Sequence, residues 1–259
     1  MRRIAAPTAL ALVALLAATA AQGEQTQEGN LRVAFDGRLS PHKLPRNRQV
    51  PVTAHLDSWI RTVDGSSPPP LRRISIAVNR EGRVSFAGLP TCNSAQLQQT
   101  STEVALQRCR GALIGRGRFA ANVVFPGVAP FPAEGRALVF NGRSRGKPAA
   151  FLHIFSSNPV RITFVLPFQI SRQPHGQLFG TVFTATIPQI ASDTGYITDI
   201  ELTIGREYRY RGRLRGFLSA SCAAPPGFRT AFFTLARTTF TFADGRTLTT
   251  TVARDCRVR

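Results

Sequence analysis

The sequence predicts an all-β protein, an antiparallel sandwich or barrel-like meander with one short helical segment at about residues 93–110. Three observations lead there. From residue 31 onward, short runs alternate apolar and polar residues with the period of a strand. Turn signals such as Asn141-Gly142, His175-Gly176 and Asp244-Gly245 separate those runs in the second half. Only residues 93–110 carry the start and stop signals of a helix.

The first 23 residues are expected to be a signal peptide. Arg2 and Arg3 precede the apolar run 9–16, and Ala18-Thr19-Ala20 offers a small-x-small site, so cleavage is expected after Ala20 or Ala21. The alternative is an uncleaved anchor. Its run is alanine-diluted and shorter than the roughly 20 strongly apolar residues a span needs. No later stretch is apolar enough to cross a bilayer. The mature protein is therefore expected to be secreted or otherwise extracytoplasmic, without a transmembrane segment.

Residues 24–30 are polar and read as a loose leader. Strand 31–35 follows, ended by Asp36-Gly37, then a basic, proline-containing loop at 40–49. A long strand, 50–63, closes at Asp64-Gly65. Residues 66–70 are extended linker, and strands 74–78 and 83–87 complete an N-terminal β lobe spanning 24–91.

Residues 92–110 form a helical segment flanked by Cys92 and Cys109. Thr100-Ser101-Thr102-Glu103 has the form of a capping box, and Gly111 can end the helix. The four cysteines, Cys92, Cys109, Cys222 and Cys256, allow three connectivities and fit an oxidising compartment. Cys92–Cys109 and Cys222–Cys256 are favoured because each pair brackets one local unit, with cross-pairing between the halves as the alternative. None lies in a C-x-x-C pair, and His42, His55, His153 and His175 are scattered, so neither a metal site nor a cofactor is expected.

Residues 111–259 read as an antiparallel β-rich domain, which forms one domain with the first lobe or packs on it. Strands are expected at 118–125, 136–140, 149–155, 161–170, 178–187, 197–204, 207–221, 230–242 and 246–253, with further turns at 157–159 and 193–195. Phe164, Phe168, Phe179, Phe183, Phe233, Phe240 and Phe242 fall at positions that share a face on a strand. Such a face is either a packed core or the wall of a concave sheet holding an apolar ligand.

The composition has 33 basic residues against 14 acidic ones, a formal net charge of +19. A G+C-rich genome accounts for arginine in place of lysine but not for the shortage of acids. A polyanionic partner accounts for both. The most specific local feature is residues 206–215, where Arg209, Arg211, Arg213 and Arg215 are two apart. On one strand they would project from one face roughly 6.5–7 Å apart, able to grip phosphates or carboxylates. Gly212 could instead mark a hairpin that splits the row. The bland reading is a solvated strand face. Nucleic acid is not expected as a partner, since no aromatic platform accompanies the charge.

Gly142-Arg143-Ser144-Arg145-Gly146 matches the G-x-S-x-G pattern of hydrolases. That motif needs a helix after the serine, whereas Pro148 and another strand follow here. His153 would face opposite to Leu152 and Ile154. Glu201 with Glu207, and Asp57 near His55, are the remaining acid–base candidates, and each reads as an ordinary strand-surface group. No enzymatic activity is expected.

Gly88-Leu89-Pro90-Thr91-Cys92 with Cys109, Arg116-Gly117-Arg118-Phe119, Tyr208-Arg209-Tyr210-Arg211-Gly212 and Phe242-Ala243-Asp244-Gly245-Arg246 resemble segments of uncharacterised exported β-rich proteins of G+C-rich bacteria. The likeness covers roughly residues 31–257 and implies a secreted β-rich protein, with no activity and no site residues. The functional expectation is a non-enzymatic envelope or extracellular binding protein meeting an anionic surface polymer or lipid headgroups through the arginines of 206–215. The alternative is a carrier of an apolar ligand in a phenylalanine-lined β cavity.

Overall fold

Strands dominate the computed structural model, which describes residues 24–158, 161–189 and 195–259. The expected signal peptide, Pro159 of the 157–159 turn and Asp193-Thr194 of the 193–195 turn lie outside the described residues. The first part holds β1 (Gln25–Glu28), β2 (Leu31–Ser40), β3 (Lys43–Leu44), β4 (Val50–Pro51), β5 (Thr53–Thr62), β6 (Leu71–Asn79) and β7 (Gly82–Val84). Two short helices follow, α1 (Ser94–Leu97) and α2 (Thr102–Cys109). Then come β8 (Leu113–Val123), β9 (Phe131–Ser144), β10 (Lys147–Ser156), β11 (Ile162–Arg172), β12 (Phe179–Thr186) and β13 (Gly195–Ile204). The chain ends with β14 (Glu207–Tyr210), β15 (Arg213–Gly216), β16 (Leu218–Ala220), β17 (Thr230–Phe242) and β18 (Thr247–Val258).

Thirteen of these strands form one sheet in the order β1-β2-β5-β13-β8-β9-β10-β11-β12-β6-β17-β18-β3. All its pairs are antiparallel except β18 with β3. The all-β expectation holds, and the two lobes share this sheet: β5 pairs with β13, and β6 lies between β12 and β17. The sheet curls into a half-barrel whose ends face each other across a seam. There Leu31, Val33 and Phe35 of β2 pack with Leu235, Phe240 and Val252 of β17 and β18. Arg254 of β18 reaches both Glu24 and Asp36. Arg246 donates to the Glu28 carbonyl oxygen at 3.0 Å and to Asn30 Oδ1 at 3.2 Å.

A small sheet, β4-β16-β7, packs against one end of the interior, and β14 with β15 forms a separate hairpin. The helices lie on the outer side of β9 and β10. Leu97, Ala105, Cys92 and Cys109 meet Leu138, Phe140 and Phe151 there. Both favoured disulfides are formed, Cys92–Cys109 with Cα atoms 5.7 Å apart and Cys222–Cys256 with Cα atoms 5.8 Å apart. No helix among the described residues is long and apolar enough to cross a membrane.

Several boundaries differ from the sequence reading for identifiable reasons. Asp36-Gly37 does not end its strand. Gly37 stays in β2, and a methyl there would lie 3.3 Å from Leu56 Cδ2 and 3.7 Å from Leu235 Cδ2, so the missing side chain makes room for two inward leucines. The 50–63 strand breaks at Val52, because Val50-Pro51 pairs with β16 in the small sheet. The 93–110 segment is two helices, interrupted where Gln99 takes φ 55°. Asn93 caps the first, and Ser101 caps the second by accepting from the Val104 amide. Asn141-Gly142 is not a turn. β9 runs on to Ser144 and turns at Arg145-Gly146, where φ is 50° and 75°. A methyl on Gly142 would sit 2.2 Å from the Cys92 carbonyl oxygen, so this glycine lets the cysteine segment cross the strand. Asp64-Gly65 does form its turn. Asp64 accepts from Ser66 Oγ at 2.6 Å and Ser66 N at 3.1 Å, which holds its carboxyl down to about 2.

Candidate functional site

Alternation along each long strand places one side-chain set inside the curl and the other outside. On β11 the inward set includes Phe164, Leu166, Phe168 and Ile170; on β10 it includes Ala150, Leu152 and Ile154. The facing wall comes from β2, β5, β6 and β17, and the two walls do not fill the space between them.

Two cavities result. One, of about 170 Å³, is lined by Phe119, Ile154, Phe164, Ile197 and Phe242, with Ile60 and Leu71 behind. The other, of about 140 Å³, is lined by Phe35, Leu56, Phe168, Phe183, Phe217 and Phe233. Leu152 borders both. Apolar cavities of this size stay dry and accept apolar guests, as an engineered void of about 150 Å³ takes up benzene.

Polar groups are sparse: Asn79, Glu81, Arg83, Ser219 and Ser221 border the second cavity, and Ser156, Tyr196 and Asn122 the first. At the first, Asn122 Nδ2 donates to the Tyr196 hydroxyl at 3.0 Å. That hydroxyl is also 3.4 Å from Ser67 Oγ. The β8–β13 pairing creates the arrangement by setting Tyr196 opposite Asn122.

Of the seven phenylalanines expected on a shared face, Phe164, Phe168, Phe183, Phe233 and Phe242 line the cavities. Phe240 is fully buried in the seam cluster. Phe179 is separated from that set by an irregularity between Phe179 and Thr181, and it carries Arg237 over its ring at 4.8 Å.

The arginine row is split. Arg211 and Gly212 take φ 50° and 73°, so the segment turns between Tyr210 and Arg213. Pairing sets Tyr208 opposite Arg215, Arg209 opposite Leu214, and Tyr210 opposite Arg213. Arg213 and Arg215 therefore share a face with Tyr208 and Tyr210, Arg209 takes the opposite face, and Arg211 sits at the tip, 5.3 Å above the Tyr210 ring. All four arginines are exposed. Tyr208 donates to the Ala87 carbonyl oxygen at 2.9 Å, and Tyr210 fills the space over Gly88, where a methyl would meet its ring at 2.2 Å. The tyrosines fix the hairpin to the body and leave the guanidiniums in solvent.

The acid–base candidates stand on the outside. Asp57 lies between Asp36 and Glu201 across three strands, and burial first, then Glu201 and Asp36, raise its carboxyl above the ordinary range. Glu201 pairs with Arg118 at 3.4 Å. Ser144 pairs with Lys147 across a hairpin and has no helix behind it. His153 faces outward under the helices, opposite to Leu152 and Ile154, as expected.

Leu152, Phe35, Phe119, Phe217, Tyr196 and Asn122 were not legible as site residues. Residues 149–154 are buried on both faces, apolar but for His153, because the helices cover the outer face of β10, which hides the alternation marking an inward position. The chain matches no protein-family model, no curated protein and no solved structure.

Proposed function

We propose that this is an exported, non-enzymatic binding protein that carries an apolar ligand inside its half-barrel. The observation that carries the reading is the paired cavities of about 170 and 140 Å³, walled by phenylalanine and aliphatic side chains. A core selected for stability alone fills such space, because each void forfeits packing contacts. The two disulfides support an extracytoplasmic setting. N-phenylnaphthylamine, a neutral dye that brightens in apolar surroundings, tests the reading. Saturable binding is expected, and it is lost in Ala121→Phe and Ala150→Phe variants that fill the two cavities while keeping the wild-type circular dichroism. Absence of saturable binding by the wild type, or equal binding by both filled variants, removes it.

A second reading, contact with an anionic surface polymer, rests on the exposure of Arg209, Arg211, Arg213 and Arg215, none of which makes an ion pair among the described residues. It now concerns a hairpin tip with Arg213 and Arg215 on one face. Retention on an anionic matrix that survives Arg211→Ala, Arg213→Ala and Arg215→Ala together counts against it.

A further inference from the structure

We infer that the ligand is a single unbranched acyl chain that threads both cavities past Leu152 and leaves its carbonyl end at Tyr196; this rests on the proposed apolar-ligand reading. Three observations carry it.

The first is the shape of the space. Each cavity alone has the size that accepts a six-carbon ring, so together they hold a chain of roughly a dozen carbons. Leu152 is the residue whose side chain borders both. A leucine changes rotamer at modest cost, whereas a strand backbone does not move aside. A compact or branched guest occupies one cavity, and a thin flexible chain occupies both.

The second is the distribution of polar atoms. Phe35, Phe168, Phe183 and Phe217 wall the second cavity. Two polar groups on its border are already paired, Asn79 donating to the Thr234 carbonyl oxygen at 2.6 Å and Glu81 accepting from Ser221 at 3.0 Å. A polar end there would give up its hydrogen bonds to water for little in return. At the first cavity, Tyr196 accepts from Asn122 at 3.0 Å, which leaves the phenolic hydrogen to donate. Its neighbour Ser67 Oγ, at 3.4 Å, is at the edge of hydrogen-bond range and easily displaced by a carbonyl oxygen.

The third is the absence of a fixed charge from the lining around Tyr196, whereas Glu81 and Arg83 border the second cavity. The first cavity is lined by no Asp, Glu, Lys or Arg, which suits a neutral acyl carbonyl better than a carboxylate.

The test titrates the full chain with methyl esters of hexanoic, dodecanoic and octadecanoic acid, read by displacement of bound N-phenylnaphthylamine. Affinity is expected to rise at least tenfold from hexanoate to dodecanoate and to gain no more at octadecanoate. Leu152→Phe, which widens the partition, abolishes the gain but keeps hexanoate binding. Leu152→Ala, which removes it, preserves or increases the gain. Tyr196→Phe weakens all three esters by a similar factor. Dye binding with equal affinity for the short and long esters, or a chain-length gain unchanged in Leu152→Phe, overturns the inference and leaves the apolar-ligand reading standing. No saturable dye binding at all overturns both.

Discussion

His153 Nε2 lies 3.1 Å from Thr100 Oγ1 and 3.2 Å from the Thr100 carbonyl oxygen, fully buried under the link between the two helices. The carbonyl can only accept, so Nε2 carries the hydrogen, and Nδ1 is buried with no hydrogen-bond partner among the described residues, which disfavours a second proton there. Thr163 donates to the same carbonyl at 3.0 Å, so β10, β11 and the helical link share one polar knot. Burial lowers the His153 pKa below its ordinary 6.5, against the opposing pull of the Thr100 carbonyl.

The sign of the pH dependence follows. Below about pH 6.5 the unfolded chain takes up a proton on this histidine while the folded chain does not, so stability falls with acidification from there down to the folded pKa and then levels off. Urea unfolding midpoints between pH 8 and 5 measure it. His153→Gln is expected to cost about 1–3 kcal/mol at pH 8, through imperfect pairing of the buried carbonyl, and to flatten that part of the profile. A variant with the wild-type slope contradicts the assignment.

Arg254 joins the two ends of the curled sheet by reaching Glu24 and Asp36. All three groups are partly exposed, so screening reduces what Coulomb attraction supplies. Arg254→Met keeps the apolar stem and removes the charge. It is expected to lower stability by about 1–2 kcal/mol, less at high salt, with a matching rise in amide exchange along β1.

Gly117 tests the register of β8 against β13. A methyl at this position would lie 1.7 Å from the Glu201 carbonyl oxygen, a contact only backbone movement relieves. Gly117→Ala is expected to cost more than about 3 kcal/mol by thermal or chemical denaturation. Gly146→Ala serves as the comparison for conformational strain alone: it meets nothing within 4 Å, but its φ of 75° disfavours a side chain. A smaller loss at Gly117 than at Gly146 contradicts the register.

Cys222–Cys256 ties the segment before β17 to the end of β18, the cysteines being 34 positions apart. The chain-entropy model gives about 3.8 kcal/mol for a loop of that length, against about 3.1 for Cys92–Cys109 with its separation of 17. Replacing Cys222 and Cys256 together by alanine is expected to lower the urea midpoint more than replacing Cys92 and Cys109.

What the sequence disclosed follows from how far each determinant reaches. Strand existence and the Asp64-Gly65 turn are local, decided by residues within a few positions of one another. The helix start expected from Thr100–Glu103 holds with Ser101 as its cap, and the cysteine pairs followed from the unit each brackets, 17 and 34 positions long. Gly37 and Gly142 misled because their role is to admit Leu56, Leu235 and the Cys92 carbonyl, which arrive from distant parts of the chain. The arginine row failed on a competition between two local signals. Strand alternation argued for one face, but Arg211-Gly212 satisfies the positive φ values of a two-residue hairpin, and anchoring of Tyr208 and Tyr210 over Ala87 and Gly88 decides in favour of the turn. The cavity wall was half visible. Phenylalanines at alternate positions marked it, whereas Leu152 lay hidden in a run buried on both sides.

Methyl-resolved NMR of the protein titrated with methyl dodecanoate tests the central claim most directly. Saturable shifts are predicted at Leu152, Ile154 and Leu166 and at the inner methyls of Leu56, Val139 and Leu202, while Leu178 and Leu214 on the exposed surface stay in place. Shifts confined to Leu178 and Leu214, or no saturable shift anywhere, would contradict a ligand inside the half-barrel.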